Sequence, residues 1–108
     1  MAKRKKLVKV TITPNKTVRE AILDSAKSAV LGSREVAYGK PEANFTRIAR
    51  LINAHLQNRF GMDANQITAG DVAMLLIQVK AGRLGGNMTH LDSWVDIAGY
   101  AACGGEIE

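Results

Sequence analysis

Three threonine–acid pairs, Thr17 with Glu20, Thr68 with Asp71 and Thr89 with Asp92, each stand at the head of an apolar periodic run. At that spacing the hydroxyl accepts the backbone N–H three residues on, and the acid reaches back to the threonine's own N–H. Such capping boxes open helices, so the pattern commits most of the chain to α structure. The first helix runs from Thr17 to a stop at Gly32, with Val18, Ala21, Ile22, Ser25 and Ala29 on one face. Residues 34–44 form a polar connector broken by Gly39 and Pro41, and Pro41 suits the first turn of a second helix. There Phe45, Ile48, Ala49, Ile52 and Leu56 trace an i, i+3, i+4, i+7, i+11 stripe, which continues to about Arg59 and ends at Gly61.

The third helix opens at Thr68/Asp71 and is apolar on every side over residues 72–77, which marks it as the expected buried centre. Val72, Leu76, Val79 and Arg83 share a face, with Lys80 slightly rotated from it, and Gly82, Gly85 and Gly86 close the helix. The fourth begins at Thr89/Asp92. Its expected core stripe is Leu91, Trp94, Val95, Ala98 and Ala102, with Asp92, Asp96, Gly99 and Cys103 adjoining it and Gly104 and Gly105 as the stop. Four stripes with short connections give an all-α, four-helix bundle-like domain over residues 15–108. Residues 1–14 form a basic arm and a short strand-like segment, in which 7–13 alternate apolar and polar. A lone strand needs a second copy or stays extended, which hints at a homo-oligomer.

The net charge of +5 belongs to that arm. Lys3, Arg4, Lys5, Lys6 and Lys9 supply five of the fifteen cations, and the other ten face ten acids. A lysine-rich arm can hold nucleic acid by neutralising phosphates, or can simply be a solubilising terminus. Cys103 stands alone, which excludes a disulfide framework and a cysteine-rich zinc site. With neither an apolar leader nor a run of membrane-spanning length, the expected location is the cytoplasm.

A helix this apolar should not carry Lys80 and Arg83 on its buried side without partners, because burying charge costs roughly several kcal/mol unless it is paired. Asp92 and Asp96, one turn apart on the next helix, are the natural partners. Two readings follow. One is a salt-bridge network tying the last two helices together. The other is a nucleotide or phosphate site, in which Lys80 and Arg83 hold phosphate oxygens. There Asp92 and Asp96 hold a hard cation such as Mg²⁺, and His90 donates to phosphate or serves as acid or base. Tyr38, in a loop before Gly39, can stack a base or be a surface tyrosine. No GxGxxG, Walker, CxxC or HExxH pattern occurs.

The run Tyr38-Gly39-Lys40-Pro41-Glu42-Ala43-Asn44-Phe45-Thr46-Arg47-Ile48-Ala49 resembles the YGxPExNFxRIA signature of a small domain of unknown function common in bacteriophage and prophage genomes. Asp71-Val72-Ala73, Lys80-x-x-Arg83 and His90-x-Asp92-Ser93-Trp94-Val95-Asp96-Ile97-Ala98-Gly99-Tyr100-Ala101 resemble its remaining blocks, in the same order over residues 34–103. The layout is also similar to phage nucleotide-modification-associated domains. More distantly it resembles MazG-like all-α nucleoside triphosphate pyrophosphatases, which hold Mg²⁺ with acidic pairs on two helices. Here Phe45–Arg59 contains no acid, so Glu35 or Glu42 would complete such a site from the loop.

The resemblance implies a phage-type nucleotide-handling protein that binds a nucleotide or nucleotide-derived signal in an infected or lysogenic bacterium. Arg47, Lys80 and Arg83 would contact phosphates, Tyr38 or His90 the base or ribose, and Asn44 would join them. Asp92 and Asp96 would hold Mg²⁺. If the protein is an enzyme, it would be a Mg-dependent pyrophosphatase-like hydrolase. The alternative is a nucleic-acid-binding or structural accessory phage protein working through Lys3, Arg4, Lys5 and Lys6.

Overall fold

A computed structural model describes residues 10, 13–33, 39–63 and 65–107. The basic arm 1–6, nearly all of the strand-like segment 7–13, Glu35 and Tyr38 lie outside the described residues. Helix α1 spans Val18–Ser28 and runs on through one π turn, Ala29–Ser33. Helix α2 spans Pro41–Phe60, α3 spans Ala69–Gly86 and α4 spans Leu91–Ile107. No strand occurs among the described residues, and the chain is an all-α, bundle-like assembly.

Local chemistry sets the helix ends. Thr17 accepts the Glu20 N–H at 3.1 Å. The Thr68/Asp71 box is complete: Asp71 N–H donates to Thr68 Oγ1 at 3.2 Å, and Thr68 N–H donates to Asp71 Oδ2 at 2.9 Å. Gly61 ends α2 in the left-handed region at φ 68°, its N–H donating to the Gln57 carbonyl. The start of the fourth helix departs from the expected one. Thr89 turns its hydroxyl and its N–H to Asn87 Oδ1 at 2.8 and 3.2 Å, closing a local turn. Helix α4 therefore starts at Leu91, after His90, whose carbonyl accepts the Ser93 N–H.

The buried centre is α4 rather than α3. Helix α4 packs most extensively on α3, and also touches α1, the π turn and α2, whereas α1 makes no comparable contact with α2 or α3. Two glycines make this position possible. A Cβ at Gly104 would stand 2.9 Å from the Ala73 Cβ, and one at Gly99 would stand 3.1 Å from Val30 Cγ1. Helix α4 accordingly turns its small residues inward, and Gly99, Tyr100 and Cys103 are buried beside Val95. This rotates it from the expected face, leaving Trp94 and Ala102 exposed. The helix also continues past Gly104 and Gly105 to Ile107, which packs on the core.

The core joins Phe45 and Ala49 of α2 with Val72 and Ala73 of α3 and Tyr100 and Cys103 of α4. The α2 stripe read from the sequence is the one that packs inward. One buried polar group organises the α2–α3 connection. Asn53 accepts the Ile67 N–H at 2.8 Å and donates from Nδ2 to the Ile67 carbonyl at 2.9 Å. Those bonds satisfy two backbone groups that would each cost about 1–3 kcal/mol if left orphaned in the interior.

Helix α3 is only one-sided in its burial. Val72, Ala73 and Leu84 are buried, but Met74, Leu75 and Val79 are 56, 44 and 55% exposed. Its inward face centres on Ala73, Leu76, Ile77 and Lys80, so Arg83 points to solvent.

The glycine contact yields an opposed pair of effects. Gly104→Ala gains about 1 kcal/mol of helix propensity but must push α4 from α3, an overpacking cost of about 1–3 kcal/mol. The expected net result in urea denaturation is a loss of stability, whereas Gly105→Ala, where a Cβ meets nothing within 4 Å, should be neutral or stabilising.

Candidate functional site

The π turn, the start of α2 and the middle of α4 border a small cleft, about 40 Å³ in volume, that opens to solvent. Ala29 and Val30 form one wall, Gly39, Pro41, Asn44 and Phe45 a second, and Val95, Asp96, Gly99, Tyr100 and Cys103 the third. Each wall follows from local sequence. The π turn adds a residue to the end of α1 and so sets Val30 against Gly99. Gly39, at φ 78°, turns the chain into Pro41, which opens α2 without a side-chain cap from Lys40. The Phe45 and Tyr100 rings lie 6.4 Å apart and tilted by 54°, joining α2 to α4 beneath the cleft.

Among the described residues the walls are mostly apolar, and the polar groups in them are few. Asp96 is the acid among the described lining residues, and behind it Lys80 Nζ lies 3.0 Å from Asp96 Oδ2. Both partners are largely withdrawn from water, at 15% side-chain exposure for Lys80 and 24% for Asp96. An ion pair there is stronger than an exposed one, because less solvent screens it. Asn44 adds an amide able both to donate and to accept.

Of the residues expected from the sequence, the structure brings three together: Asn44 and Asp96 in the cleft wall, and Lys80 against Asp96. Asp92 lies half-buried one turn before Asp96. Arg47 and Arg83 are exposed and line no part of the cleft. His90 is also exposed, and its Nδ1 shares a 2.7 Å hydrogen bond with the hydroxyl of Ser93, a side chain only 1% exposed. Among the described residues no group of three or more His, Cys, Asp or Glu side chains is placed to hold a metal, so a cation here would rest on Asp92 and Asp96 with water or ligand oxygens.

Three further residues line the cleft: Phe45, expected on the α2 core stripe, Cys103, expected on the stripe beside the α4 core, and Tyr100, to which the sequence reading gave no role. The spacing of Tyr100, one helical turn beyond Asp96, was the available signal.

A double-mutant cycle measures the pair. Lys80→Met and Asp96→Asn, singly and together, should show a coupling of about 1–3 kcal/mol in chemical denaturation. Additive losses would mean that the two charges do not act as a unit.

Among the described residues no helix is long and apolar enough to cross a membrane. No solved structure is significantly similar to the chain. Its relatives include the Gene 55 protein of Mycobacterium phage D29, 39% identical over 84 residues that cover 78% of this chain and 51% of that protein. The Gene 55 protein of Mycobacterium phage L5 is 37% identical over 81 residues, 75% of this chain and 48% of the relative. The chain thus spans about half the length of these curated relatives. The family profile described as "Domain of unknown function (DUF6378)" matches residues 21–108, a span that takes in α2, α3 and α4 and most of α1. The likeness to a small phage domain of unknown function is therefore borne out, and the chain belongs to the DUF6378 family.

Proposed function

We propose that the cleft between the π turn, α2 and α4 binds a nucleotide or a nucleotide-derived small molecule. The observation that carries this reading is the Lys80–Asp96 pair, 3.0 Å apart, whose carboxylate stands in the wall of a small and, among the described residues, largely apolar cleft. Sites of this kind combine apolar surface for a ring system with a few placed polar groups that orient it. Asn44 offers the paired donor and acceptor that can read a base edge. Tyr100 and Phe45 supply aromatic surface beneath it. The first turn of α2 forms a wall and has no side-chain cap from Lys40, so its N–H groups suit an anionic ligand group.

In the bound state Lys80 would contact phosphate, and Asp96, with Asp92 one turn away, would hold Mg²⁺ through water and phosphate oxygens. If the complex is hydrolytic, the reaction is metal-assisted cleavage of a phosphoanhydride. Helix α2 carries a single acid, Glu42, exposed in its first turn. A second acidic pair of the MazG-like kind is therefore lacking on it, which favours binding or sequestration over turnover. The phage origin of the relatives fits a protein that handles nucleotides during infection.

Calorimetry with a panel of nucleoside mono-, di- and triphosphates, with and without Mg²⁺, tests the reading, and chromatography of the recovered nucleotides separates binding from hydrolysis. At least one nucleotide should bind and return intact. Lys80→Met should weaken binding about tenfold or more, the value of one charge-assisted hydrogen bond, and Asp96→Asn should remove any Mg²⁺ dependence. A panel without binding, or two variants that bind as the parent does, would overturn the assignment.

A further inference from the structure

The outward face of α3 gathers three large apolar side chains that folding leaves exposed. Met74, Leu75 and Val79 stand 56, 44 and 55% exposed. On the same side lie Asp71, Gln78, Gly82, Gly85 and Gly86, all exposed. A cluster of exposed apolar side chains on one helix face can mark an interaction site. The glycines sharpen the point. Apart from proline, glycine is the poorest helix former, and α3 carries Gly82, Gly85 and Gly86 in its second half. A Cβ at any of the three would meet nothing within 4 Å, so nothing among the described residues of the protomer requires their small size. A backbone approaching from outside would.

The face is also patterned. Its first half is bulky, with Met74 and Leu75, and its second half is small, with Gly82, Gly85 and Gly86. Gln78 and Val79 lie midway between Asp71 and Gly86. Its acid, Asp71, stands near the beginning, and the exposed base Arg83 stands near the end at its rim. A two-fold axis beside Gln78 and Val79 would run two copies of α3 antiparallel. Leu75 of each copy would then lie over Gly82 of the other, and Asp71 would come within reach of the opposite Arg83. Bulk meets gap and acid meets base, the self-complementarity that an isologous contact requires.

We infer that the exposed face of α3 is a homodimer interface, occupied by α3 of a second copy of this chain in antiparallel, two-fold arrangement. The cleft lies on other helices, so this pairing stands or falls apart from the nucleotide reading.

Light scattering during size-exclusion chromatography, with sedimentation over a concentration series, gives the test. The full chain should have twice its 11.6 kDa mass. Leu75→Glu and Gly82→Leu should each reduce it to the monomer while circular dichroism shows undiminished helix. On mild oxidation Gln78→Cys should give a disulfide-linked dimer, and Asn58→Cys on α2 should give none. A parent chain that stays monomeric at every concentration, whether another protein or residues 1–9 cover the face, overturns the proposal. So does a dimer that survives either substitution, or one that Gln78→Cys fails to cross-link.

Discussion

Everything in this fold is arranged around how closely α4 can lie against its neighbours. The contact of Gly104 with Ala73 leaves no space for a methyl group, and Gly99 leaves little beside Val30. Two missing side chains thus bring one helix close to both α3 and the π turn. Three consequences follow from that approach. Tyr100 and Cys103 enter the core with Phe45 and Val72. The π turn is held against α4 and becomes a wall of the cleft. Asp96 is carried inward, to the point where Lys80 meets it.

The ion pair and the cleft therefore have one structural origin. Had α4 packed through Trp94 and Ala102, its aspartates would have faced away from α3 and Lys80 would have had to extend to solvent. Packing instead through glycines and Cys103 puts a carboxylate in an apolar wall, where it needs a cation. Lys80 supplies that cation from α3, whose inward face is displaced from its most apolar stripe. The same displacement turns Met74, Leu75 and Val79 outward. A charged pair inside and an apolar face outside are two sides of a single helix rotation.

Much of this was legible in the residues, and the failures have definite causes. Helices α1 and α2 followed from Thr17, Pro41 and the Phe45–Leu56 stripe, because capping and 3.6-residue periodicity are local properties. Asp96 and Lys80 stood out as partners, since charges beside a core demand one another. The facing of α3 and α4 did not follow from hydrophobicity. Helix α3 is apolar nearly all round, so periodicity gave no direction, and on α4 the deciding residues were glycines, which carry no hydropathy signal. Read as stops, Gly104 and Gly105 concealed the last turn of α4. Thr89 turns its hydroxyl to Asn87, because a short polar side chain closes a local turn as readily as it caps a helix. Asn53 gave no warning either, as its partner is backbone fourteen residues away.

The central claim is that the α4 approach builds a ligand site at Asp96. The most direct measurement is an amide NMR titration of the labelled protein with a mixture of ribonucleoside triphosphates and Mg²⁺. Perturbations should gather at Asn44, including its side-chain amide, and at Asp96, Gly99 and Tyr100, with Val30 across the cleft. Perturbations confined to other surfaces, or none at saturating nucleotide, would contradict the account and leave the Lys80–Asp96 pair as a structural tie between α3 and α4.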